Sequence, residues 1–507
     1  MREFNFEGLF IFDMANNHQG DVEHGLNIIR AMGEVTKKTG VRGALKFQFR
    51  HIDTFIHPDY KDKKDIPHIP RFVSTRLSDD DYKLLTKEVE KQGLITICTP
   101  FDEKSVQLIL DLDIELIKVA SCSADDHPLL EKIAETNRPV IVSTAGLTLS
   151  QIDRLVSFLD YKGVCFALMH CVALYPTPGD KLRLNQIEQL KNRYPDVPVG
   201  FSTHENPDNY SAVPIAYAKG ARLFERHVGL ETDEYKLNAY SSTPVQIAKW
   251  IQAYHDVVEA CGGEERAPAN PEEIASLDSL KRGVFVKKDI KKGEVIQRED
   301  VFFAMPLLDG QMSSCEWSNN IISNRDYSVN EPISAASVST IKSEEDIVYS
   351  IVLQVNGMLN NERIFVGKDS SIEISHHYGL ERFREFGAVI IDCINREYCK
   401  KLIIQLPRQK HPYHYHKKKE ETFQLIHGDL EVELEGHKTT LKPGDIFLVK
   451  PNQWHKFHTL DGAIFEEVST THYNDDSFYE DAAIEALPRE KRKTKVANWK
   501  VAIKNKL

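Results

Sequence analysis

Two lysines give the first half of the chain its clearest chemical signature. Lys46 and Lys118 stand in apolar settings, Ala44-Leu45-Lys46-Phe47 and Leu116-Ile117-Lys118-Val119. A single lysine after a strand is usually a solvated surface charge. Two of them, accompanied by Gln48, Thr99, Ser121, Ser143 and Ser202, suit a small polyanion carrying both phosphate and carboxylate. His204 and His227 end Phe201-Ser202-Thr203-His204 and Glu225-Arg226-His227. Imidazoles on neighbouring strand ends can share a divalent ion and leave positions open for water and substrate. The plainer alternative for each is a hydrogen-bonded structural ring. A second set lies far downstream: His414-Tyr415-His416, Glu421 and His455. Alternation along a strand puts His414 and His416 on one face, and Glu421 and His455 complete a three-histidine, one-carboxylate set suited to Mn, Fe, Zn or Ni.

The first set needs a scaffold that gathers distant residues. Eight short apolar runs supply it: Leu9 to Ala15, Ala44 to Phe49, Ile95 to Pro100, Leu116 to Ala120, Pro139 to Ala145, Val164 to Cys171, Val199 to His204 and Ala221 to Val228. Stretches of helical period lie between them, such as Val22 to Lys38, Asp80 to Lys91 and Leu149 to Leu159. Continuous apolar strands alternating with helices predict a parallel sheet covered on both faces. Eight units in roughly 250 residues predict a closed α/β (TIM) barrel with its chemistry at the carboxyl ends of the strands. Past the helical stretch Pro244 to Cys261, the Gly-, Glu- and Pro-rich segment Gly262 to Pro271 reads as a linker. A small β-rich domain follows, with short runs at Gly283 to Val286 and Asp300 to Phe303. From about Asp346 to Tyr479, short strands separated by turns at Gly428-Asp429, Glu435-Gly436 and Pro443-Gly444-Asp445 predict an all-β sandwich or barrel. The expected domains are 1–265, 279–342 and 346–482, followed by a basic tail, 483–507, read as a solvated terminus.

Composition narrows the partners. The chain has 507 residues, enough for several cores, and a net charge of -12, which argues against general affinity for nucleic acid. Its eight cysteines are dispersed without zinc-type pairing and read as reduced thiols of a cytoplasmic protein. No basic-then-apolar leader is evident, and no apolar run nears the ~20 residues needed to span a bilayer, so neither secretion nor membrane insertion is expected.

In order along the chain, Asn17-His18-Gln19-Gly20-Asp21, Lys46-Phe47-Gln48, Thr99-Pro100-Phe101, Lys118-Val119-Ala120-Ser121, Ser143-Thr144, His170-Cys171, Tyr175-Pro176-Thr177-Pro178, Ser202-Thr203-His204 and Glu225-Arg226-His227 resemble the sialic acid synthases. The resemblance implies a condensation of phosphoenolpyruvate with an aldose, giving a 2-keto-3-deoxy sugar acid and phosphate. It implies Lys46, Thr99, Lys118, Ser121, Ser143 and Ser202 around phosphoenolpyruvate, Asp13, Lys46 and Lys118 as catalytic groups, and further substrate contacts from Asn17, His18, Gln48 and Tyr175. It also implies that His204 and His227 hold a divalent metal, usually manganese. The run Val286-Lys287-Lys288-Asp289-Ile290-Lys291-Lys292-Gly293-Glu294 resembles the family's small antifreeze-protein-like (SAF, β-clip) domain. That domain covers the partner's site in the family, which implies a domain-swapped homodimer.

The chain departs from the family pattern at four places. Asp13 replaces a glutamate, Ser123 replaces a carboxylate, Leu237 and Asn238 stand where a sugar-binding aspartate is expected, and Met305 stands where an arginine reaches the N-acyl group. The phosphoenolpyruvate half is therefore expected to be retained and the sugar half altered, towards an aldose other than plain N-acetylmannosamine. The downstream set His414, His416, Glu421 and His455 resembles the cupins (double-stranded β-helix), implying a second divalent metal. The stretch Thr471-His472-Tyr473-Asn474-Asp475-Asp476 resembles the end of cupin-type sugar isomerases. That domain is expected to act as an isomerase or epimerase, or as a regulatory sugar-binding module. Alternatives for the whole chain are a synthase of a shorter keto-deoxy sugar acid and a non-catalytic sugar-binding scaffold.

Overall fold

The computed structural model describes residues 4–497 and Trp499, apart from 264–265, 320, 341–342 and 368–369. The chain forms two compact units, Met1–Ala267 and Pro268–Leu507. In the first, eight parallel strands close into a barrel: β1 (Leu9–Asp13), β2 (Arg42–Phe49), β3 (Ile95–Pro100), β4 (Leu116–Val119), β5 (Val140–Ser143), β6 (Phe166–Cys171), β7 (Val199–Thr203) and β8 (Leu223–His227). Each expected apolar run coincides with one strand, β2 beginning two residues earlier than expected, and the helices Val22–Thr39, Asp79–Lys91, Leu149–Tyr161 and Pro244–Cys261 fall where helical period predicts them. Side-chain caps start them: Asp21 accepts from the amides of Glu23 and His24, and Ser78, Thr148 and Thr243 form reciprocal capping boxes.

The strand period of two divides each strand between two environments. Phe10 and Phe12 face outward into the main core beneath the helices, whereas Leu9 and Ile11 join Ala44, Ile97, Leu116, Ile141, Ala167, Met169 and Leu223 inside the barrel. Two residues further along, the inward position becomes polar on six of these strands, at Asp13, Lys46, Thr99, Lys118, Ser143 and Glu225, and is Cys171 on β6. The apolar plug thus ends at one level, and the next layer is chemical. Register fixes the neighbours, setting Asp13 opposite Lys46 and His227, Gln48 opposite Thr99, and Ser202 opposite Glu225. On β7 the inward position below Ser202 is Gly200, where a Cβ would lie 2.6 Å from the Leu223 carbonyl oxygen, so only glycine fits.

The second unit begins with the helix Pro271–Asp278, at the end of the segment expected to be a linker; residues 264–265 of that segment lie outside the described residues. Gly283–Val286 pairs with Val301–Ala304, and a three-stranded sheet (Val295–Ile296, Ile321–Ser323, Val338–Thr340) shares a small core with Val284, Ile290 and Tyr327. Two antiparallel sheets of seven and five strands then enclose a core containing Phe423, Phe457 and Phe465, the all-β fold expected.

Two expectations for this region need correction. The strand-rich region opens with an 18-residue helix, Glu344–Asn361, capped by Ser343. Its Ile351, Val352, Val355 and Leu359 pack against Ile372, Ile374 and Ile404 of the large sheet. The basic tail is not a solvated terminus over its described part. Lys493–Val496 pairs with Ile372–Ser375 as the outermost strand of the large sheet, and Trp499 is buried in the helix-covered core. Arg489 and Lys493 both pair with the buried carboxylate of Glu373, at 2.8 and 2.5 Å. The charges that suggested solvation therefore neutralise an interior acid.

Candidate active site and metal cluster

The polar layer lines a cavity of about 600 Å³ at the carboxyl ends of the barrel strands. Lys46 Nζ lies 3.0 Å from Asp13 Oδ2 and 3.0 Å from Glu225 Oε1. Lys118 Nζ donates to Ser143 Oγ at 2.6 Å and stands 3.4 Å from Glu225 Oε1, which also accepts from Ser202 Oγ at 2.8 Å. Two ammonium groups and two carboxylates thus form one buried network. Burial opposes the charge on Lys46, but Asp13 and Glu225 outweigh it and raise its pKa; on Lys118 burial prevails over Glu225 and lowers it. Burial would raise the Glu225 pKa, yet Lys118 and Lys46 hold it well below the usual range. Thr99 Oγ1 and Glu225 Oε2 are buried with no partner among the described residues, as expected of atoms that a ligand completes.

His227 Nε2 stands 3.3 Å from Asp13 Oδ2, and its ring lies 5.2 Å from that of His204. His204 Nδ1 lies 3.2 Å from the Val172 carbonyl oxygen. A carbonyl can only accept, so Nδ1 carries the hydrogen and the Nε2 lone pair remains for a ligand. Burial, then His227, lowers the His204 pKa to about 3, and burial lowers that of His227. Neutral rings beside a carboxylate fit a divalent cation.

Of the expected barrel residues, Asp13, Asn17, Lys46, Gln48, Thr99, Lys118, Ser121, Ser143, Tyr175, Ser202, His204 and His227 line this one cavity. His18 does not. It is buried, accepts from the Gly20 amide through Nδ1, and has its pKa pushed down to about 4 by burial and Arg71. The ring therefore shapes the loop after β1 rather than facing the cavity. Asn17 lines the cavity while its Nδ2 ties that loop to the Val228 carbonyl and Ser241 Oγ. Arg50, Arg71 and Tyr240 also line it and were not expected. Arg50 was within reach of sequence reasoning, since it continues the inward series 44, 46, 48 by one more step. Arg71 comes from a short helix, Ile69–Ser74, in a segment without usable period.

In the second unit, one ligand atom each from His414, His416, Glu421 and His455 lies within 4.8 Å of the others. The Nδ1 atoms of His414, His416 and His455 meet the carbonyl oxygens of Pro412, Asp476 and Gln453, so all three rings carry hydrogen on Nδ1 and turn Nε2 towards a common point. His455 Nε2 lies 2.7 Å from Glu421 Oε1, yet each atom lacks a properly directed hydrogen bond. Converging lone pairs of this kind fit a metal. Sequence reasoning missed Lys419, whose Nζ pairs with Glu421 Oε2 and with Glu467 Oε1 at 3.0 Å. The cavity beside the cluster measures only about 40 Å³.

Asp476 orients this centre from outside it. Its carbonyl takes the His416 hydrogen, and its carboxylate accepts from the amides of Lys417, Lys418 and Lys419. Replacing Asp476 by alanine keeps this carbonyl but removes the carboxylate that fixes its loop, and is expected to weaken metal binding by the second unit by up to about 10-fold, the low end for loss of an outer partner, measured by titrating metal into the metal-free full chain.

Comparison with known proteins agrees with the ordered strand-end residues. Residues 34–266 match the NeuB family and residues 402–466 the Cupin domain. An uncharacterized protein of Methanocaldococcus jannaschii is 30% identical over 335 residues, covering 66% of this chain and 90% of that protein. N-acetylneuraminate-9-phosphate synthase of Homo sapiens is 24% identical over 291 residues, covering 56% and 80%. A solved structure described as spore coat polysaccharide biosynthesis protein E from Chromobacterium violaceum is 43% identical with a TM-score of 0.65, covering 66% of this chain and all (100%) of that one. The chain belongs to the NeuB family of sialic acid synthase-like enzymes, with a cupin domain following its barrel.

Proposed function

We propose that the barrel condenses phosphoenolpyruvate with an aldose, yielding a 2-keto-3-deoxy sugar acid of the sialic acid type and inorganic phosphate. The observation that carries this reading is the joining of Lys46, Lys118 and the strand-end hydroxyls in one cavity with the carboxylates of Asp13 and Glu225. Lys118, Ser143, Ser121 and Thr99 grip the enol phosphate, and Lys46 balances Asp13 and Glu225 beside it. C3 of the enol attacks the aldehyde carbon, forming the C–C bond and leaving C2 electron-poor. Water adds at C2 and gives up a proton, and the C2–O bond to phosphate then breaks to leave the ketone. Asp13, fixed by Lys46, Gln48 and His227, is the carboxylate placed to relay protons between this water and the former aldehyde oxygen. A divalent cation held by His204 and His227, manganese by family resemblance, would supply Lewis-acid polarisation of the aldehyde oxygen. Because the anion's charge changes little, positioning and preorganised charge account for most of the rate.

The name of the human relative, a synthase of an N-acetylneuraminate phosphate, supports this class of product. Retention of both lysines and both histidines speaks against a non-catalytic scaffold. In the cupin, His414, His416, Glu421 and His455 hold a second divalent metal. Space of about 40 Å³ beside the ligands admits roughly a water or a very small ligand rather than a hexose, which counts equally against an isomerase and against a sugar-binding module at this cluster. The family's swapped small domain supports a homodimer. The deciding experiment is release of phosphate from phosphoenolpyruvate by the purified chain with manganese and a panel of aldoses. Release that depends on one aldose class is expected, and no release with any aldose overturns the reading.

A further inference from the structure

Glu421 is the one member of the cupin cluster that can hold a metal in two ways, through one carboxylate oxygen or through both. The structure gives its two oxygens different surroundings. Oε1 lies 2.7 Å from His455 Nε2 and lacks a directed hydrogen bond, so its lone pairs are unspent. Oε2 is taken by the ammonium group of Lys419 and stands 3.7 Å from His416 Nε2. Lys419 is itself fixed at both ends. Its Nζ donates to Glu467 Oε1 at 3.0 Å, and its amide donates to Asp476 Oδ2 at 2.9 Å. Glu467 Oε1 also accepts from Ser469 Oγ at 3.2 Å and faces Lys401 Nζ at 3.6 Å. Strand register explains the meeting: Glu421 stands opposite Ser469 and Phe423 opposite Glu467, so Glu467 and Ser469 share the inward face with Glu421.

Stability does not account for this lysine. The side chains of Lys401, Glu467, Lys419 and Glu421 are at most 6% exposed, and a buried ion pair adds little over an apolar side chain of similar length because desolvation offsets the attraction. What distinguishes Lys419 is that it occupies one oxygen of a metal-ligating group. Lys401 pairs with Glu467 and, among the described residues, forms no ion pair with Glu421. Three imidazole nitrogens and Oε1 leave a divalent transition ion with room for further ligands, and a freed Oε2 would fill the nearest position. The cavity of about 40 Å³ opens beside these ligands, with Lys401, Lys419 and His472 also in its wall. We propose that Lys419 is a positioning residue that restricts Glu421 to one-oxygen coordination and so keeps a metal position open towards this cavity, for water or a small anion. This rests on the metal-binding reading of the cluster.

The test uses the full chain carrying H204A and H227A, so that the cupin is the centre loaded, with Co²⁺ as the metal and azide as the probe ligand. Cobalt per chain is measured first. Azide is then titrated while the visible absorption of Co²⁺, which responds to the number and kind of its ligands, is followed. The parent is expected to bind one cobalt and to shift its bands on adding azide. K419M should still bind one cobalt, because the four metal-ligating side chains remain and Glu467 keeps Lys401 and Ser469. Its azide affinity should fall by about 10–100-fold, the worth of the charge-assisted hydrogen bond that held Oε2 away. K401M removes an equal buried charge without touching Glu421, so it separates charge from position and should bind azide nearly as the parent does. K419Q, which leaves a neutral donor in place of the ammonium group, should show a smaller loss of the same sign, and it carries the comparison if K419M does not fold. Equal losses in K419M and K401M overturn the proposal, as do parent-like azide binding by the Lys419 variants and a cobalt-loaded parent that azide does not perturb. A parent that takes up no cobalt fails the metal reading and this proposal together, whereas cobalt uptake with azide binding indifferent to Lys419 fails the proposal alone.

Discussion

Replacing Lys118 by methionine is expected to lower kcat for phosphate release by about 10²–10³-fold, the usual loss when one preorganised charge donor is removed. The fold should survive. Glu225 would keep Lys46 at 3.0 Å and Ser202 at 2.8 Å, so no carboxylate is stranded. Lys118 is itself a burden on the folded state, because burial holds its pKa below that of free lysine. A base with a depressed folded-state pKa destabilises most when it is charged in both states. Its penalty is therefore full below the folded pKa and is relieved as pH rises through the folded pKa towards the free-lysine range. K118M removes that penalty, so equal or higher thermal stability should accompany the lost rate. Lys46 predicts the opposite balance. It bridges two buried carboxylates, and K46M should destabilise the barrel by about 3–5 kcal/mol as well as inactivate it. Thermal melts and phosphate release on the two variants check both halves. A K118M protein that melts far below wild type, or keeps its rate, contradicts the assignment.

The barrel was legible because strand burial leaves a direct trace in sequence. A strand covered on both faces must be apolar throughout, so the inward Lys46, Lys118 and Glu225 stand out against their neighbours. Features set by tertiary contact left a weaker trace or none. The helix Glu344–Asn361 did leave a trace, the Ser343–Asp346 capping box and apolar residues at 351, 352, 355 and 359, but its many Ile and Val also suit the strands that follow and masked that signal. The tail misled because Arg489 and Lys493 read as solvated charges until Glu373 is placed 2.8 and 2.5 Å away. His18 was expected in the site through its neighbours in the motif, but its ring turns to the Gly20 amide instead. The cupin ligands were readable from spacing, whereas Lys419 and Glu467 meet only when the sheet Glu421–Gly428 pairs with Ala463–Thr470. Paired charges within a fold resemble surface charges in sequence, since only the partner reveals their burial.

The cupin cluster gives the second large effect. Replacing His455 by alanine removes a ligand whose Nε2 faces Glu421 Oε1 at 2.7 Å and whose ring lies 4.1 Å from that of His414. Since loss of an outer partner alone weakens metal binding by about 10–100-fold, loss of a ligand should exceed this, and the variant should leave purification without cupin metal. Metal per chain is the direct readout: two in wild type, one in H455A, and one in a variant lacking both His204 and His227. The two single-site variants should differ in every other respect. Losing the barrel histidines should abolish phosphate release and leave the cupin melt unchanged. H455A should retain phosphate release but lose the stabilisation that bound metal gives, about 2.7 kcal/mol at a hundredfold excess over Kd. The His414, His416 and His455 rings hold Nδ1–H against backbone carbonyls, bonds that need no ion to form. The lost stability should therefore come from metal binding and not from collapse of the surrounding strands. If H455A kept its metal, or if the metal-free wild type melted as high as the loaded form, the four side chains would be a buried polar network rather than a metal centre.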